Sequence, residues 1–462
     1  MTEPHPLARH VSRRRFLQVG AALGAAAAVT PMRTGWALGA AAPASIRRPG
    51  SLPNPRRPAG TDLLPQIEHI VVVMQENHSF DNYLGVLGRG DGFRLDGARR
   101  PTNTNPAPDG TSIRAFPMAN ACQTNGPSQS WNHSHISFAD GHNDGFVQAS
   151  GPVAMGYFTA EDIPFYYSLA KAFPLCDRWF CSVLAQTYPN RRFLLAGTAY
   201  GAVSTDVKLL LAPSPPNGTI YDLLNAHGVT WRDYYSDLPQ PGLFKSVYEA
   251  NMDKMVHVSQ FMADAAAGTL PSVSWVDPAS ETGSEENPQD IQTGEAFVSQ
   301  IVQAALHGPG WDKTLLVWTY DEHGGYYDHV PPPPAVKPDD IPPDIQVPPD
   351  QPGVYDRYGF RVPAVIVSPY ARRDYVSHVV HDHTSILKLI ETKWNLPALT
   401  FRDANADDLL DSLDLHGTPA FREPPHLAAA GLTASPSNCV PGQAGAIPPP
   451  GAVTRPAVRA RG

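Results

Sequence analysis

The sequence predicts an α/β protein with a mostly parallel sheet sandwiched by helices. Short, nearly continuous aliphatic runs recur along the chain and alternate with amphipathic stretches of helical period. Strands that are buried on both faces have such unbroken runs, and helices packed on both faces provide that burial. The chain of 462 residues is 42% hydrophobic, which is enough for a sizeable core. Its net charge of -9, with 17% charged residues, argues against a general binder of nucleic acid or anionic membranes.

The elements follow from this alternation in chain order. The predicted strands are 69–74, 229–235, 272–276, 314–320 and 363–370. The predicted helices between them are 163–173, 219–228, 293–308 and 384–394. In a parallel sheet with crossover helices, ligands bind beyond the carboxyl ends of the strands. The residues that follow each strand are therefore the first place to look for function.

Residues 1–42 are predicted to be a twin-arginine signal peptide. Arg13 and Arg14, followed by Phe16 and Leu17, precede an alanine-rich apolar stretch and small residues. A basic start, a short apolar region and small residues near a cleavage site are typical of export signals. The alternatives are an ordinary signal peptide or an uncleaved anchor. The prediction implies passage through the twin-arginine export machinery to a secreted, periplasmic or cell-wall location.

The rest of the chain divides by composition into a Pro-rich lead-in at 43–66, one large domain at 67–425 and a Pro/Ala-rich tail at 426–462. Within the domain, residues 331–352 contain ten prolines, so this segment cannot form a central strand or a helix. It is either a spacer or a stiff flap near the acidic residues that precede it.

Four cysteines are predicted to be structural, because they do not have the spacing of a zinc site. They are Cys122, Cys176, Cys181 and Cys439. Cys176 and Cys181 are close enough in sequence to pair, although the connectivity does not follow from the sequence.

Polar side chains follow two of the predicted strands directly. Glu76 and Asn77 come after the first strand, and Asp321, Glu322 and His323 come after 314–320. Carboxylate and amide oxygens are the ligands that hard divalent cations prefer. The two strand ends therefore predict a metal site at one sheet edge, and the alternative is ordinary loop polarity.

A candidate nucleophile lies in "LAQTYPNRRFLLAG" (184–197). Thr187 precedes a proline and an apolar helical run, where a helix cap or first-turn residue would lie. The simple interpretation is a cap. In the alternative, a metal ion activates the hydroxyl as a nucleophile, and Arg191 and the helix amides face an incoming anion.

Four blocks of this sequence resemble the motifs of the bacterial phosphoesterase family, in family order. They are "IEHIVVVMQENHSFDNYLG", "LAQTYPNRRFLLAG", "TYDEHGGYYDHV" and "HDHTSILKLIE". That family contains phosphatidylcholine-type phospholipases C, including the mycobacterial ones, and an acid phosphatase. It belongs to the alkaline phosphatase-like superfamily. The resemblance runs from about residue 66 to about residue 425.

The resemblance implies roles for specific residues. The implied ligands of a divalent metal ion (Ca, Zn, Mn or Mg) are Glu76, Asn77, Thr187, Asp321 and Glu322. The implied catalytic residues are Thr187, which would form a covalent phosphothreonine, together with Arg191 and His135. A structural role is the alternative for His135. Residues implied to contact substrate are Asp144, Asn190, Asn287 and His323.

Asn287 departs from the family pattern. The family commonly has "EHP" where this chain has "ENP", and an asparagine donates a hydrogen bond but carries no proton near neutral pH. His383, in "DHTSI", matches a family motif but fits helix capping or packing equally well.

The resemblance favours a phospholipid substrate such as phosphatidylcholine, cleaved to diacylglycerol and a phosphorylated head group. The alternatives are a broad-specificity acid phosphatase and a non-catalytic metal- or phosphate-binding protein. No nucleic acid and at most peripheral membrane contact are expected. Four aromatic residues could form a choline cage or belong to the core: Tyr157, Phe158, Tyr326 and Tyr327.

Overall fold

The computed structural model describes residues 46–122, 126–280 and 282–431. The predicted signal peptide and most of the predicted tail lie outside the described residues. The strands are β1 His69–Gln75, β2 Thr104–Pro106, β3 Ser112–Arg114, β4 Phe116–Pro117, β5 Gly156–Tyr157, β6 Leu175–Cys176, β7 Trp231–Tyr235, β8 Met255–His257, β9 Val273–Asp277, β10 Thr314–Tyr320, β11 Ala364–Val367 and β12 Val376–Ser377. The α-helices are α1 Phe80–Leu84, α2 Trp131–Phe138, α3 Phe146–Ser150, α4 Pro164–Ala172, α5 Thr187–Ala196, α6 Ile220–Ala226, α7 Lys245–Ala250, α8 Ser259–Ala267, α9 Ile291–His307, α10 His383–Trp394 and α11 Phe401–Ala404.

An eight-stranded sheet organises these elements, in the order β12-β6-β11-β10-β1-β9-β7-β8. Five of its pairings are parallel, and β11 is antiparallel to both of its neighbours, β10 and β6. The predicted class, α/β with a mostly parallel sheet, is confirmed. All five predicted strands and all four predicted helices are present, with bounds that shift by at most three residues.

The centre of the sheet is covered on both faces. Successive strand residues point to opposite faces, and every residue of β10 is buried, as is every residue of β1 after His69. Two groups of helices provide the cover: α5 packs on α6 and α10, and α9 packs on α4 and α8. This explains the unbroken aliphatic runs in the sequence.

The pairing of β1 with β10 sets the position of the functional residues. Gln75 is directly opposite Tyr320 in this parallel pair, and the backbone N–H of Asp321 donates to the carbonyl of Gln75 at 3.0 Å. Both strands therefore end at the same level. Glu76 and Asp321 leave the sheet side by side.

The start and the end of α5 are fixed by local contacts. The side chain of Asn190 accepts from the backbone N–H of Val183 and donates to the carbonyls of Ala185 and Gln186 in the preceding turn. The helix ends at Gly197, whose φ of +71° is the left-handed conformation that favours glycine. These contacts hold the first turn of α5 in one position.

The two proline-rich segments of the described chain are packed against helices. The lead-in docks on the end of α10, where Asn395 donates to the carbonyls of Asn54, Arg57 and Pro58. Residues 331–352 contain no helix or strand and lie against α2, with the Trp131 indole donating to the carbonyl of Gln351 at 2.9 Å.

The cysteine pair that the sequence allowed does not form. Cys176 and Cys181 are both free and buried, whereas Cys122 is disulfide-bonded. Among the described residues, no helix has the length and apolar character needed to cross a membrane.

Candidate active site

Residues from two strand ends and one helix start meet at the carboxyl edge of the sheet. Thr187 is the first residue of α5, and its Oγ1 lies 3.5 Å from Oδ1 of Asn77, which follows β1. The residue that caps α5 is Gln186, so the Thr187 hydroxyl does not serve as the helix cap. The simple interpretation of this threonine was therefore wrong. Its hydroxyl faces the polar residues at the end of β1.

Arg191, one turn further along α5, joins the two strand ends. Its guanidinium lies 3.3 Å from Glu76 Oε1, 3.1 Å from Asp321 Oδ2 and 3.5 Å from Asp277 Oδ1. These contacts engage all of its nitrogens. Burial opposes the charge on Arg191, but Asp321, Glu76 and Asp277 raise its pKa above the usual value. Arg191 thus remains a cation that is already shared among carboxylates.

A cavity of about 180 Å³ opens beside these residues. Its walls include Glu76, Thr187 and Arg191 from the predicted site. Further polar residues of the lining are Asp237, Gln240, Asp277, Ser280, Ser284 and Glu286. The Thr187 hydroxyl therefore borders a space that can admit a ligand.

The site holds more acidic than basic side chains. Burial raises the pKa of Glu322 well above its usual value, and the neighbouring Asp321 raises it further. Burial also raises the pKa of Asp321 and of Glu76, and Arg191 opposes both shifts. The pKa of Glu286 rises to about 7, through burial and then through Glu76. One arginine does not balance these acids.

An unsatisfied oxygen lies within this group of acids. Oε2 of Glu322 accepts from the backbone N–H of Gly324 at 2.7 Å, but its Oε1 is buried and has no hydrogen-bond partner in the described part of the chain. A buried carboxylate oxygen without a partner costs stability unless a cation or a proton compensates it. The donor set of carboxylate, amide and hydroxyl oxygens fits a hard divalent cation.

Two of the predicted residues lie elsewhere. His135 is on α2, where its Nδ1 contacts the carbonyl of Trp131 at 2.8 Å and its ring packs at a tilt against the Trp131 indole. It lines a second cavity, together with residues of the 351–357 segment. Asp144 is exposed in the turn before α3. The structure does not bring these two residues to the cavity beside Thr187.

The other residues implied to contact substrate make contacts within the protein. Asn190 holds the turn before α5, as described above. Asn287 accepts from the Tyr326 hydroxyl at 2.8 Å. His323 is buried against Phe360, and burial lowers its pKa to about 3.

His383 has a clear position behind the site. Its Nε2 lies 2.7 Å from the backbone carbonyl of Asp321, so the ring supports the end of β10 from the start of α10. Burial lowers its pKa to about 4. The residue that caps α10 is Asp382, so His383 matches the packing interpretation rather than the capping one.

The four aromatic residues considered for a choline cage are in the core. Each is at most 8% exposed. Tyr326 stacks on His78, and Tyr327 packs on Phe146. The described chain therefore has no open cage built from this set.

Sequence reasoning missed three acids of the cavity, namely Asp237, Asp277 and Glu286. Asp277 is the last residue of β9, and Glu286 precedes Asn287 in the "ENP" motif. The strand-end rule that identified Glu76 and Asp321 applies equally to Asp277. The segment "SVSWVDP" (272–278) has the same pattern, an apolar strand that ends in an acid.

A buried hydroxyl beside acids, at the carboxyl edge of a mostly parallel sheet, fits the active site of a hydrolytic enzyme. The match to known families specifies the class. The Phosphoesterase family model matches residues 67–397, and the chain belongs to that family of ester hydrolases.

Two relatives agree with this membership, and one solved structure serves for comparison only. The chain is 31% identical to "Phospholipase C A" of Mycobacterium tuberculosis, in an alignment that covers 93% of this chain and 91% of that protein. It is 31% identical to "Non-specific phospholipase C6" of Arabidopsis thaliana, covering 76% of this chain and 73% of that protein. Among solved structures, a protein in the alkaline phosphatase superfamily from Vibrio parahaemolyticus aligns with 12% identity and a TM-score of 0.34, covering 71% of this chain and 77% of that chain.

Proposed function

We propose that this protein is an exported, metal-dependent phospholipase C that cleaves phospholipids such as phosphatidylcholine through a phosphothreonine at Thr187. One observation carries the proposal. The Thr187 hydroxyl lies 3.5 Å from Asn77 Oδ1 and lines the cavity that Glu76 and Glu286 also line. The phospholipase C names of relatives that align over most of the chain support the substrate class.

Glu76, Asn77, Thr187, Asp321 and Glu322 would hold the metal ion. When bound, the ion would lower the pKa of a coordinated hydroxyl and neutralise charge on the phosphate. Calcium, zinc, manganese and magnesium all remain candidates for this donor set. The partnerless Oε1 of Glu322 supports a cation at this position.

The proposed chemistry has two displacements. Oγ1 of Thr187 loses its proton and forms a bond to phosphorus while the bond from phosphorus to the glycerol oxygen breaks, and that oxygen takes up a proton to give diacylglycerol. A water oxygen then forms a bond to phosphorus and loses a proton, while the bond from phosphorus to Oγ1 of Thr187 breaks and Oγ1 takes up a proton to regenerate the hydroxyl. In-line transfer depends on positioning and on neutralisation of charge more than on acid–base groups.

The chain's own residues provide the positioning. The Asn190 contacts fix the turn that carries Thr187, and Arg191 fixes Glu76 and Asp321 relative to one another. The backbone N–H groups of the first turn of α5 favour an anion near Thr187. We assign Arg191 to positioning, because its nitrogens are already engaged by carboxylates.

Export and location form a separate part of the proposal. Arg13 and Arg14 support the twin-arginine route and a final location that is secreted, periplasmic or cell-wall associated. Replacing both residues with lysine should retain the protein inside the cell, as measured by fractionation. Unchanged export of that variant would contradict this part.

The test of the activity compares Thr187→Val with Thr205→Val, which removes another hydroxyl from the lining of the same cavity. We expect Thr187→Val to lower kcat by at least about 1,000-fold, the scale for loss of a nucleophile, with unchanged folding. We expect Thr205→Val to lose less than about 10-fold. Hydrolysis that persists in Thr187→Val would contradict the covalent mechanism.

The substrate is tested by the product. Matched assays of phosphocholine released from phosphatidylcholine and of phosphate released from a monoester should show mainly phosphocholine. Predominant release of phosphate would favour the acid phosphatase. Absence of both products with every divalent ion would favour the non-catalytic binder. Chelation should abolish activity, and one divalent ion should restore it.

A further inference from the structure

His381, Asp407 and Asp411 form a second group of possible metal ligands that the proposed reaction does not use. One ligand atom from each lies within 4.8 Å of the others, and none of the three lines the cavity beside Thr187. His381 is fully buried between β12 and α10, whereas the Asp407 and Asp411 side chains are 36% and 21% exposed. The group is therefore buried on the imidazole side and open to water on the carboxylate side.

Hydrogen bonds of Ser377 determine where the proton of the neutral His381 ring lies. The Ser377 hydroxyl donates to Oδ2 of Asp411, and its oxygen lies 3.1 Å from Nε2 of His381. A serine hydroxyl has one hydrogen, so its oxygen can only accept from His381. The ring hydrogen is therefore assigned to Nε2, and Nδ1 is left with a lone pair.

That lone pair faces a carboxylate. Nδ1 of His381 has no hydrogen-bond partner within the described residues, yet Oδ1 of Asp407 lies 3.4 Å away. Two acceptors that face each other at this distance repel unless a positive charge lies between them. A proton on Nδ1 is one source of that charge, but the pair does not have the alignment of a hydrogen bond.

The separation suits a metal ion better. Ligand atoms about 2.0–2.1 Å from a tetrahedral zinc ion lie about 3.4 Å from one another. An imidazole nitrogen with carboxylates selects zinc and similar transition metals over calcium or magnesium. The exposed sides of Asp407 and Asp411 leave room for water to complete the coordination.

We propose that His381, Asp407 and Asp411 bind one divalent transition-metal ion, with Zn²⁺ as the representative ligand. This site joins the turn before α10 to the segment that follows α11. Two residues after His381, the ring of His383 supports Asp321 at the end of β10. The ion would hold this turn in position. The proposal does not depend on the catalytic mechanism.

The test measures zinc stoichiometry on the mature chain, stripped with a chelator and titrated with Zn²⁺. The double variant Asp407→Asn/Asp411→Asn should bind one zinc ion fewer than the wild type. Asp414→Asn, which changes another acid of the same segment, should match the wild type. Equal stoichiometry in the wild type and the double variant would overturn the proposal. Loss of the catalytic metal alone cannot produce the expected pattern, because the catalytic residues are intact in all three proteins.

A second measurement covers the case in which the double variant does not fold. In the wild type, nitrogen NMR of the His381 ring should show a bare Nδ1 after chelation and a shift of that nitrogen when Zn²⁺ is added. A ring protonated on both nitrogens and unchanged by Zn²⁺ would show that a proton supplies the charge, and would overturn the proposal.

Discussion

Two buried arginines in this protein each contact acids from the segments that follow β1 and β10, but the two groups of acids differ in whether all their oxygens have partners. Arg191 contacts Glu76 and Asp321, which directly follow β1 and β10. Arg361 contacts Asp81 and Asp328, which lie a few residues further along the same two segments. Similar residues thus form two clusters beyond the sheet.

The Arg361 cluster is saturated, in the sense that its guanidinium nitrogens and carboxylate oxygens all have hydrogen-bond partners. Its guanidinium donates to both carboxylates and to the carbonyls of Asp91 and Asp177, and His329 contacts the remaining oxygen of Asp81. Asp81, Asp328 and His329 have the spacing of a metal site, but Arg361 already supplies the positive charge among them. This cluster is built for stability.

The Arg191 cluster is not saturated. It contains Glu322, with a partnerless buried oxygen, and it borders a cavity that the Thr187 hydroxyl also lines. Buried acids therefore indicate function where they border a cavity and include atoms without a hydrogen-bond partner. Where every atom is paired, they indicate structure.

The largest expected effect on stability comes from breaking the saturated cluster. Arg361→Met leaves Asp81 and Asp328 buried without their partner, so we expect the free energy of unfolding to fall by about 3–5 kcal/mol. The measurement is chemical denaturation. As a control, Arg178→Met breaks the partly exposed pair with Asp91 and should cost less than about 1 kcal/mol. Equal losses in the two variants would contradict the structural role of Arg361.

The next effect concerns activity at the unsaturated cluster. Arg191→Met removes the group that holds Glu76 and Asp321 in position, so we expect kcat/KM to fall by about 100- to 1,000-fold. The free energy of unfolding should fall less than in Arg361→Met, because the proposed metal ion still offsets the acids. A variant that loses stability but keeps its activity when folded would reverse the assignment of the two clusters.

The smallest effect is a pH dependence of the saturated cluster. Burial opposes the charge on His329, but its hydrogen bond to Asp81 and the charges of Asp81 and Asp328 raise its pKa above the usual value, against Arg361. Because the pKa is higher in the folded than in the unfolded chain, the stabilisation is complete below about pH 6.5 and is lost as the pH rises through the folded pKa.

This dependence is checked by denaturation at several pH values. Between about pH 6.5 and the alkaline range, the wild type should lose free energy of unfolding relative to His329→Gln. His378→Gln serves as the control, because that side chain is 70% exposed in its pair with Asp177. A wild type whose stability changes in parallel with that of His329→Gln would contradict the prediction.

The sequence predicted the parts of the fold and site that depend on local patterns. The aliphatic runs located β1 and β10, and the position of acids after them brought Glu76 and Asp321 to one sheet edge. The sequence did not predict that β11 is antiparallel, because an aliphatic run of four residues does not show in which direction the strand runs. Asp277 could have been found by the same strand-end rule.

Other features depend on contacts distant in sequence. The sequence around Asp81 and Glu76 does not show which of the two belongs to the saturated cluster. That depends on whether Arg361 or Arg191, both distant in sequence, contacts the carboxylate. The position of His135 depends on how α2 packs against residues 331–352, a contact between segments about 200 residues apart. No pattern within either segment specifies that contact.

The stereochemical course at phosphorus shows whether transfer passes through the side chain of Thr187. The substrate is a phospholipid made chiral at phosphorus with oxygen isotopes, and the product is the released head-group phosphate. Each in-line displacement inverts the configuration at phosphorus. A mechanism with two displacements therefore predicts net retention. Net inversion would show direct attack by water and would contradict it.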